Sequence, residues 1–284
     1  MAAPSRAAPA ATSFFLSDRL DDGLVSRITD FDPAEDILTV TLQVGNDPAP
    51  GDFRLEARQD GIGNDLYLGD DLIAEILSTR SFTLEDIRLV VQLGQEAFTG
   101  GATDITIQGN SFDNVVTGGD GNELISMGVS GSDSGDGGAG NDTIIADGTD
   151  FFDMTVDVDM PDVAVTLGQD TLNGGAGDDV IISRNRNILT GGEGADVFQL
   201  RQDPDDDSQD NPRIPAAIIT DFDPAEYTIV RSRITAPDLS ALVFVPFADG
   251  TGSTIELGDQ IIARVTVVGD QPLGLDTVTM AEFF

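Results

Sequence analysis

The sequence predicts an all-β chain, a repeat solenoid held between two copies of a small β-rich module. Three observations lead there. A glycine- and aspartate-rich nine-residue pattern recurs between residues 100 and 199. Three blocks near the N-terminus return about 190 residues later. Glycine reaches 32 of 284 residues, well above its usual ~7%, an excess that calls for many turns.

Residues 1–13 are rich in Ala and Pro and read as a disordered tail. They carry no apolar core of a secretory signal, and no apolar run of ~18 residues suggests a membrane span. Residues 14–99 form the N-terminal β module. Ile37 to Val44 alternates apolar and polar, the period of a strand with one buried face. LYLGDDLIAEI (66–76) reads as two strands around a Gly-Asp turn.

This module has a twin. ITDFDPAED (28–36) returns as ITDFDPAEY (219–227), LYLGDDLIAEI as IELGDQIIARV (255–265), and LEDI (84–87) as LDTV (275–278). The DFDPAE segments read better as Asp-Pro turns pinned by Phe31 and Ile37 than as ion sites. Residues 200–284 therefore form a C-terminal β module, entered through the acidic, breaker-rich stretch RQDPDDDSQDNP, an exposed loop.

Residues 100–199 fall into register by nines. Turns begin at Gly100, Gly109, Gly118, Gly128, Gly137, Val165, Gly174 and Gly191, with an excursion from about Ala146 to Ala164 and a shortened turn, SRNRNILT, before Gly191. Four turns carry two glycines, a third glycine at place four and an acid at place six: Glu123, Asp142, Asp179 and Asp196. The turns from Gly128 and Val165 keep Asp133 and Asp170. Those from Gly100 and Gly109 keep only the apolar place, at Ile107 and Val116, and read as cap-like strands. Glycine lets the backbone turn tightly with positive φ, and the apolar tail supplies a short strand. Repetition of a turn and a stacking strand is the pattern of a solenoid.

Charge narrows the function. Asp and Glu number 51 against 14 basic residues, a net charge of −37, and every basic residue is Arg. Such a chain does not bind nucleic acid, which needs a basic surface. With no His and no Cys, the zinc and copper ligands are missing. So are a Ser-His-Asp triad and an HExxH site, and without Lys there is no phosphate-binding GxxxxGK loop. Oxygen ligands abound, and calcium takes six to eight of them at ~2.3–2.6 Å. Nine residues make half a coil, so like turns stack every eighteen or so. One calcium site is expected between Asp179 and Asp196 with the carbonyls of Gly174, Ala176, Gly191 and Glu193. A second lies between Glu123 and Asp142, with carbonyls from Gly137 and Ala139. Asp133 and Asp170 are further ligands on other edges. Asp120, Asp136 and Asp178 lie off the sixth place and read as solvated.

GGAGDDVII and GGEGADVFQ, followed by IITDFDPAE, resemble the RTX family of hemolysin-type calcium-binding repeats, with trailing segments similar to those of serralysin-type rolls. The resemblance implies a parallel β-roll of glycine/aspartate nonapeptide repeats flanked by the two duplicated modules. It implies Ca2+ between the turns and secretion to the extracellular space by a type I secretion machinery that reads an uncleaved C-terminal signal, here the AEFF ending. No toxin, protease or lipase segment accompanies the repeats, so the expected protein is no enzyme. It is a secreted calcium-binding protein, structural or surface-associated, whose roll folds on calcium. An adhesion or ligand-binding module, contacting a surface polysaccharide or a protein, is the alternative, with Phe151 and Phe152 as candidate contacts. A carboxylate-only hydrolase is the third reading.

Overall fold

A computed structural model describes residues 12–19, 25–44, 53–94, 97–128, 131–146, 169–183, 187–201, 216–224, 228–232, 242–257, 260–268 and 273–281. Residues 1–11 of the expected tail, nearly all of the expected 146–164 excursion with Phe151 and Phe152, the acidic stretch from residue 202 and the terminal Glu282–Phe284 lie outside the described residues, while Ser13, expected in the tail, begins a strand instead because it pairs beside Ile37.

The chain is all-β. The N-terminal module contributes β1 (Ser13–Arg19), β2 (Ser26–Ile28), β3 (Ile37–Val44), β4 (Phe53–Ala57), β5 (Asn64–Leu68), β6 (Asp71–Ile76) and β7 (Ile87–Leu93). The repeats contribute β8 (Phe98–Thr99), β9 (Thr106–Gln108), β10 (Val115–Gly119), β11 (Leu124–Ser126), β12 (Ser134–Ala139), β13 (Thr143–Ile145), β14 (Thr171–Ala176), β15 (Val180–Ser183), β16 (Ile188–Glu193) and β17 (Val197–Arg201). The C-terminal module adds β18 (Ala217–Phe222), β19 (Thr228–Ser232), β20 (Leu242–Pro246), β21 (Gly252–Leu257), β22 (Gln260–Val267) and β23 (Val278–Ala281).

Successive strands of the repeats alternate between two parallel sheets, so each coil gives one strand to each. One sheet runs β1-β3-β7-β9-β11-β13-β15-β17-β19-β23, and the other runs β20-β21-β22-β18-β16-β14-β12-β10-β8. The apolar places point inward and stack as columns. Ile107, Ile125, Ile144, Ile181 and Phe198 form one; Val116, Leu172, Leu189 and Ile219 form the facing one, all fully or almost fully buried. Burial of each such side chain contributes roughly 1.5–3 kcal/mol. Gly135 stands in the second column, and the space its missing side chain leaves is filled by Met127, whose Sδ lies 3.0 Å from where a Cβ would be. Met127, the one residue extra to the nine-residue register, is thereby core.

The twin modules have the same topology. In the first, β2 pairs parallel with β6, which pairs antiparallel with β5 and β5 with β4. In the second, β18, β22, β21 and β20 repeat that order and those directions. In both, a short 3-10 turn (Leu84–Asp86; Leu275–Thr277) leads into the last strand. The Gly-Asp hairpin stands as expected, with Leu68 opposite Asp71 and Gly69 at φ +57°.

The module boundaries at 99/100 and 199/200 do not coincide with breaks in the hydrogen bonding. Strand β7 pairs parallel with β9, and β17 with β19. Each module is a pair of solenoid coils carrying an inserted hairpin, and one hydrophobic core runs through all three parts. Among the described residues no helix is long and apolar enough to cross a membrane.

Candidate metal centre

The turns occupy two edges, with Asp133 and Asp170 on the edge opposite the double-glycine turns. The turns at Gly100, Gly118, Gly137, Gly174 and Gly191, all with a double glycine, join the second sheet to the first along one edge. Those ending at Asn114, Asp133, Asp170 and Asn187 line the opposite edge. The Gly137 turn stacks directly on the Gly174 turn, with Gly138 opposite Gly175. The expected pairs Gly118/Gly137 and Gly174/Gly191 are also present. The two expected pairs are thus neighbours in one continuous row: Glu123, Asp142, Asp179 and Asp196. Strand β12 pairs with β14 and β13 with β15, so the row is continuous between them.

Each sixth-place side chain is buried; those of Asp142, Asp179 and Asp196 reach to the preceding rung, while Glu123 Oε2 accepts the Gly119 N–H of its own turn at 3.0 Å. The N–H of Glu123 donates to Asp142 Oδ1 (2.7 Å), that of Asp142 to Asp179 Oδ1 (2.7 Å), and that of Asp179 to Asp196 Oδ1 (2.9 Å). On the other edge Asn114 N–H donates to Asp133 Oδ1, Asp133 N–H to Asp170 Oδ1, and Asp170 N–H to Asn187 Oδ1. One carboxylate oxygen is therefore committed to the backbone, where sequence chemistry alone assigned the carboxylate to metal. Asn114 and Asn187 were missed because only acids were sought at place six. Asn offers the same acceptor oxygen at the same length, which is the signal that finds them.

The second oxygen is the distinctive one on the double-glycine edge. Glu123 Oε1, Asp142 Oδ2 and Asp179 Oδ2 are buried with no hydrogen-bond partner. Backbone carbonyls face the same space. A Cβ on Gly174 would lie 2.3 Å from Asp179 Oδ2 and 2.4 Å from the Gly191 carbonyl oxygen. On Gly137 it would lie 2.3 Å from both Asp142 Oδ2 and the Gly174 oxygen. Gly137 and Gly174, each the first glycine of its pair, thus leave open a cradle walled by a carboxylate oxygen and the next rung's carbonyl. The second glycine turns the chain, at φ +100° for Gly138 and +109° for Gly175. Among the expected carbonyl ligands, those of Gly174 and Gly191 face the cradle. Those of Ala176 and Glu193 also stitch the rungs, accepting from Gly140 and Gly177 N–H at 2.8 Å. Ala139 sits opposite Ala176 in the same column, and the Gly137 oxygen faces Gly118.

Electrostatics makes this row costly without a counter-charge. Every ion pair among the described residues lies in the N-terminal module, on Arg27, Arg54, Arg58 and Arg80. Burial pushes the Glu123 carboxyl up to about 8, against the pull of the Gly119 N–H and with the negative Asp142 and Asp104 adding to the rise. Burial also raises Asp179 to about 7, reinforced by the charges of Asp142, Asp196 and Asp178. Asp142 is raised by the same cause. Buried carboxylates of this kind are stable when paired with a cation or protonated.

No group of three or more acidic side chains converges on one point among the described residues. Each rung supplies one or two carboxylate oxygens, and backbone carbonyls are the other donors. An all-oxygen set rich in carbonyls, without His or Cys, fits a hard ion such as calcium and does not fit zinc.

The acids placed off the sixth position also have structural partners. Asp178, exposed as expected, accepts the Ala195 N–H, and Asp104 accepts that of Asn122, with Asn122 and Asn141 continuing the outer row. Asp136 accepts from the Asn173 side chain. The first DFDPAE segment is a turn: Asp36 accepts from Asp32 N–H and Thr12 N–H, and Asp32 from Ala34 N–H. In the second copy Asp221 closes the roll, its two oxygens accepting the N–H groups of Gly191 and Gly192, each at 2.9 Å.

A comparison of the chain with protein-family models and with curated proteins returned no match.

Proposed function

We propose that this is a secreted calcium-binding protein of the RTX type, whose roll folds on calcium after type I export and which serves a structural or surface-associated task without catalysis. The observation that supports the reading is the row of buried sixth-place carboxylates, in which Asp142 Oδ2 and Asp179 Oδ2 have no hydrogen-bond partner among the described residues and face backbone carbonyls of the next rung. In low calcium the −37 chain repels itself and the carboxylates oppose burial, which suits a chain that must pass through a secretion channel unfolded. At extracellular, millimolar calcium each ion supplies two positive charges and joins two rungs. A site held at 100 times its dissociation constant stabilises the fold by roughly 2.7 kcal/mol, so a few sites rival the ~5 kcal/mol margin of a small domain.

The test is a calcium titration of the EDTA-treated full chain, followed by far-ultraviolet circular dichroism and by calorimetry. A β signal that grows cooperatively with calcium, with heat of binding at several sites, is expected. A β signal unchanged between EDTA and millimolar calcium overturns the reading.

A further inference from the structure

The twin modules differ at one edge. Strand β20 ends the nine-stranded sheet, and among the described residues no strand pairs with its far side. Its counterpart in the N-terminal module is β4, also an edge strand. The aligned hairpins place Arg54 and Glu56 of β4 where β20 has Val243 and Val245. Arg54 pairs with Glu56 at 2.9 Å and lies 4.4 Å over the Tyr67 ring, so β4 carries hydrated charges that deter edge pairing. Strand β20, Leu-Val-Phe-Val-Pro, carries none. Val243 is 52% and Val245 42% exposed, beside Ile261 at 39%.

We propose that two copies of this chain join along β20 as an antiparallel, two-fold symmetric pair centred on Phe244. The hydrogen-bond phase supports it. Phe247 N–H donates to Gly252 carbonyl at 2.8 Å, so in this antiparallel ladder Val245 and Val243 also direct their amides to β21. Leu242 and Phe244 direct theirs to the open edge, as Pro246 does its carbonyl. Pairing about Phe244 lets the two Phe244 residues exchange two bonds, and each Leu242 N–H meets the Pro246 carbonyl of the other copy. Pro246, which has no N–H, sits at the rim, where the Leu242 carbonyl is left to water. The same pairing sets Val243 against Val245 of the other copy, an apolar cross-strand pair on each side of the axis.

Charge does not oppose a second copy at this strand. Most surfaces of a −37 chain repel one another, but β20 is uncharged. Glu256, the neighbouring acid opposite Val243, would be three strand spacings from its symmetry mate, about 14 Å, beyond the ~8 Å screening length at physiological salt. Five residues bury less than the ~1,200 Å² of a standard interface, so the dimer is concentration-dependent.

Sedimentation of the full chain in millimolar calcium, over ~1–200 μM, tests this. Wild type should pass from one to two chain masses, and Val243→Lys/Val245→Lys, which sets like charges opposite one another on an already exposed face, should remain monomeric with an unchanged circular dichroism spectrum. The chain has no cysteine, so Phe244→Cys under mild oxidation should form a disulfide between copies, while Ile261→Cys should not. Wild type that stays monomeric throughout, or a dimer that survives the double lysine variant, overturns the proposal. A larger assembly that keeps growing with concentration also overturns it, because a two-fold contact closes.

Discussion

The backbone N–H of Asp142 donates to Asp179 Oδ1 at 2.7 Å across thirty-seven residues of sequence. That bond makes one oxygen of Asp179 part of the backbone ladder and turns the other, Oδ2, toward the cradle over Gly174. The two oxygens therefore have separable roles.

Asp179→Asn separates them. Asn keeps the acceptor for Asp142 N–H, as Asn187 does for Asp170, but puts an amide where the cation ligand is needed. The midpoint of calcium-induced folding should rise by ~10-fold or more, equivalent to about 1.4 kcal/mol. In EDTA at pH 8 the same variant should retain more β signal than wild type, because one buried carboxylate is gone. Paired circular dichroism spectra across a calcium titration and in EDTA check both signs.

Gly174→Ala tests the cradle. The added Cβ would meet Asp179 Oδ2 and the Gly191 carbonyl at 2.3 and 2.4 Å, closer than any real contact, so a backbone shift is forced and a loss of ~2–4 kcal/mol is expected. Gly61→Ala is the control. Its φ of +71° carries the ordinary strain, but nothing lies within 4 Å, and a loss nearer ~1 kcal/mol is expected. Denaturant unfolding in calcium should separate the two.

The metal-free chain should gain stability toward acid. Glu123 is raised to about 8 and Asp179 to about 7, above the ~4 of an unfolded carboxyl. The folded state then binds more protons than the unfolded state between those limits. Their favourable contribution is full below pH ~4 and is lost as pH rises through 7 to 8. Melting in a calcium chelator should fall from pH 5.5 to 8.5. With saturating calcium the slope should reverse, since protons compete with the ion. A metal-free melting temperature that climbs over this range would contradict the burial of these groups.

Asp221→Ala removes the paired acceptor that closes the last double-glycine turn. Two charge-assisted bonds are lost, and a destabilisation of about 2–3 kcal/mol is expected. It should appear as a higher calcium midpoint.

Part of this architecture is legible in single residues. Glycine pairs, sixth-place acids and the apolar eighth place depend on local backbone geometry, so the repeat, the strand positions and the β3 alternation of Leu38, Val40 and Leu42 could be read directly. The twin modules were visible as matching words, and the Gly69-Asp70 hairpin followed from turn chemistry. What was not legible depends on partners distant along the chain. The role of Asn114 and Asn187 needs an N–H from another coil, and the cap by Asp221 needs a glycine pair thirty residues earlier.

The sequence by itself determined that the chain is a β solenoid of nine-residue turns, with acids at one place and glycines where a turn demands them. Only the tertiary structure decided that the two expected pairs are neighbours. Stacking depends on which coils hydrogen-bond, and the Gly137 turn meets the Gly174 turn although the spacing rule breaks between them. That single pairing joins Glu123, Asp142, Asp179 and Asp196 into one row and gathers the carboxylates at a density their mutual repulsion opposes.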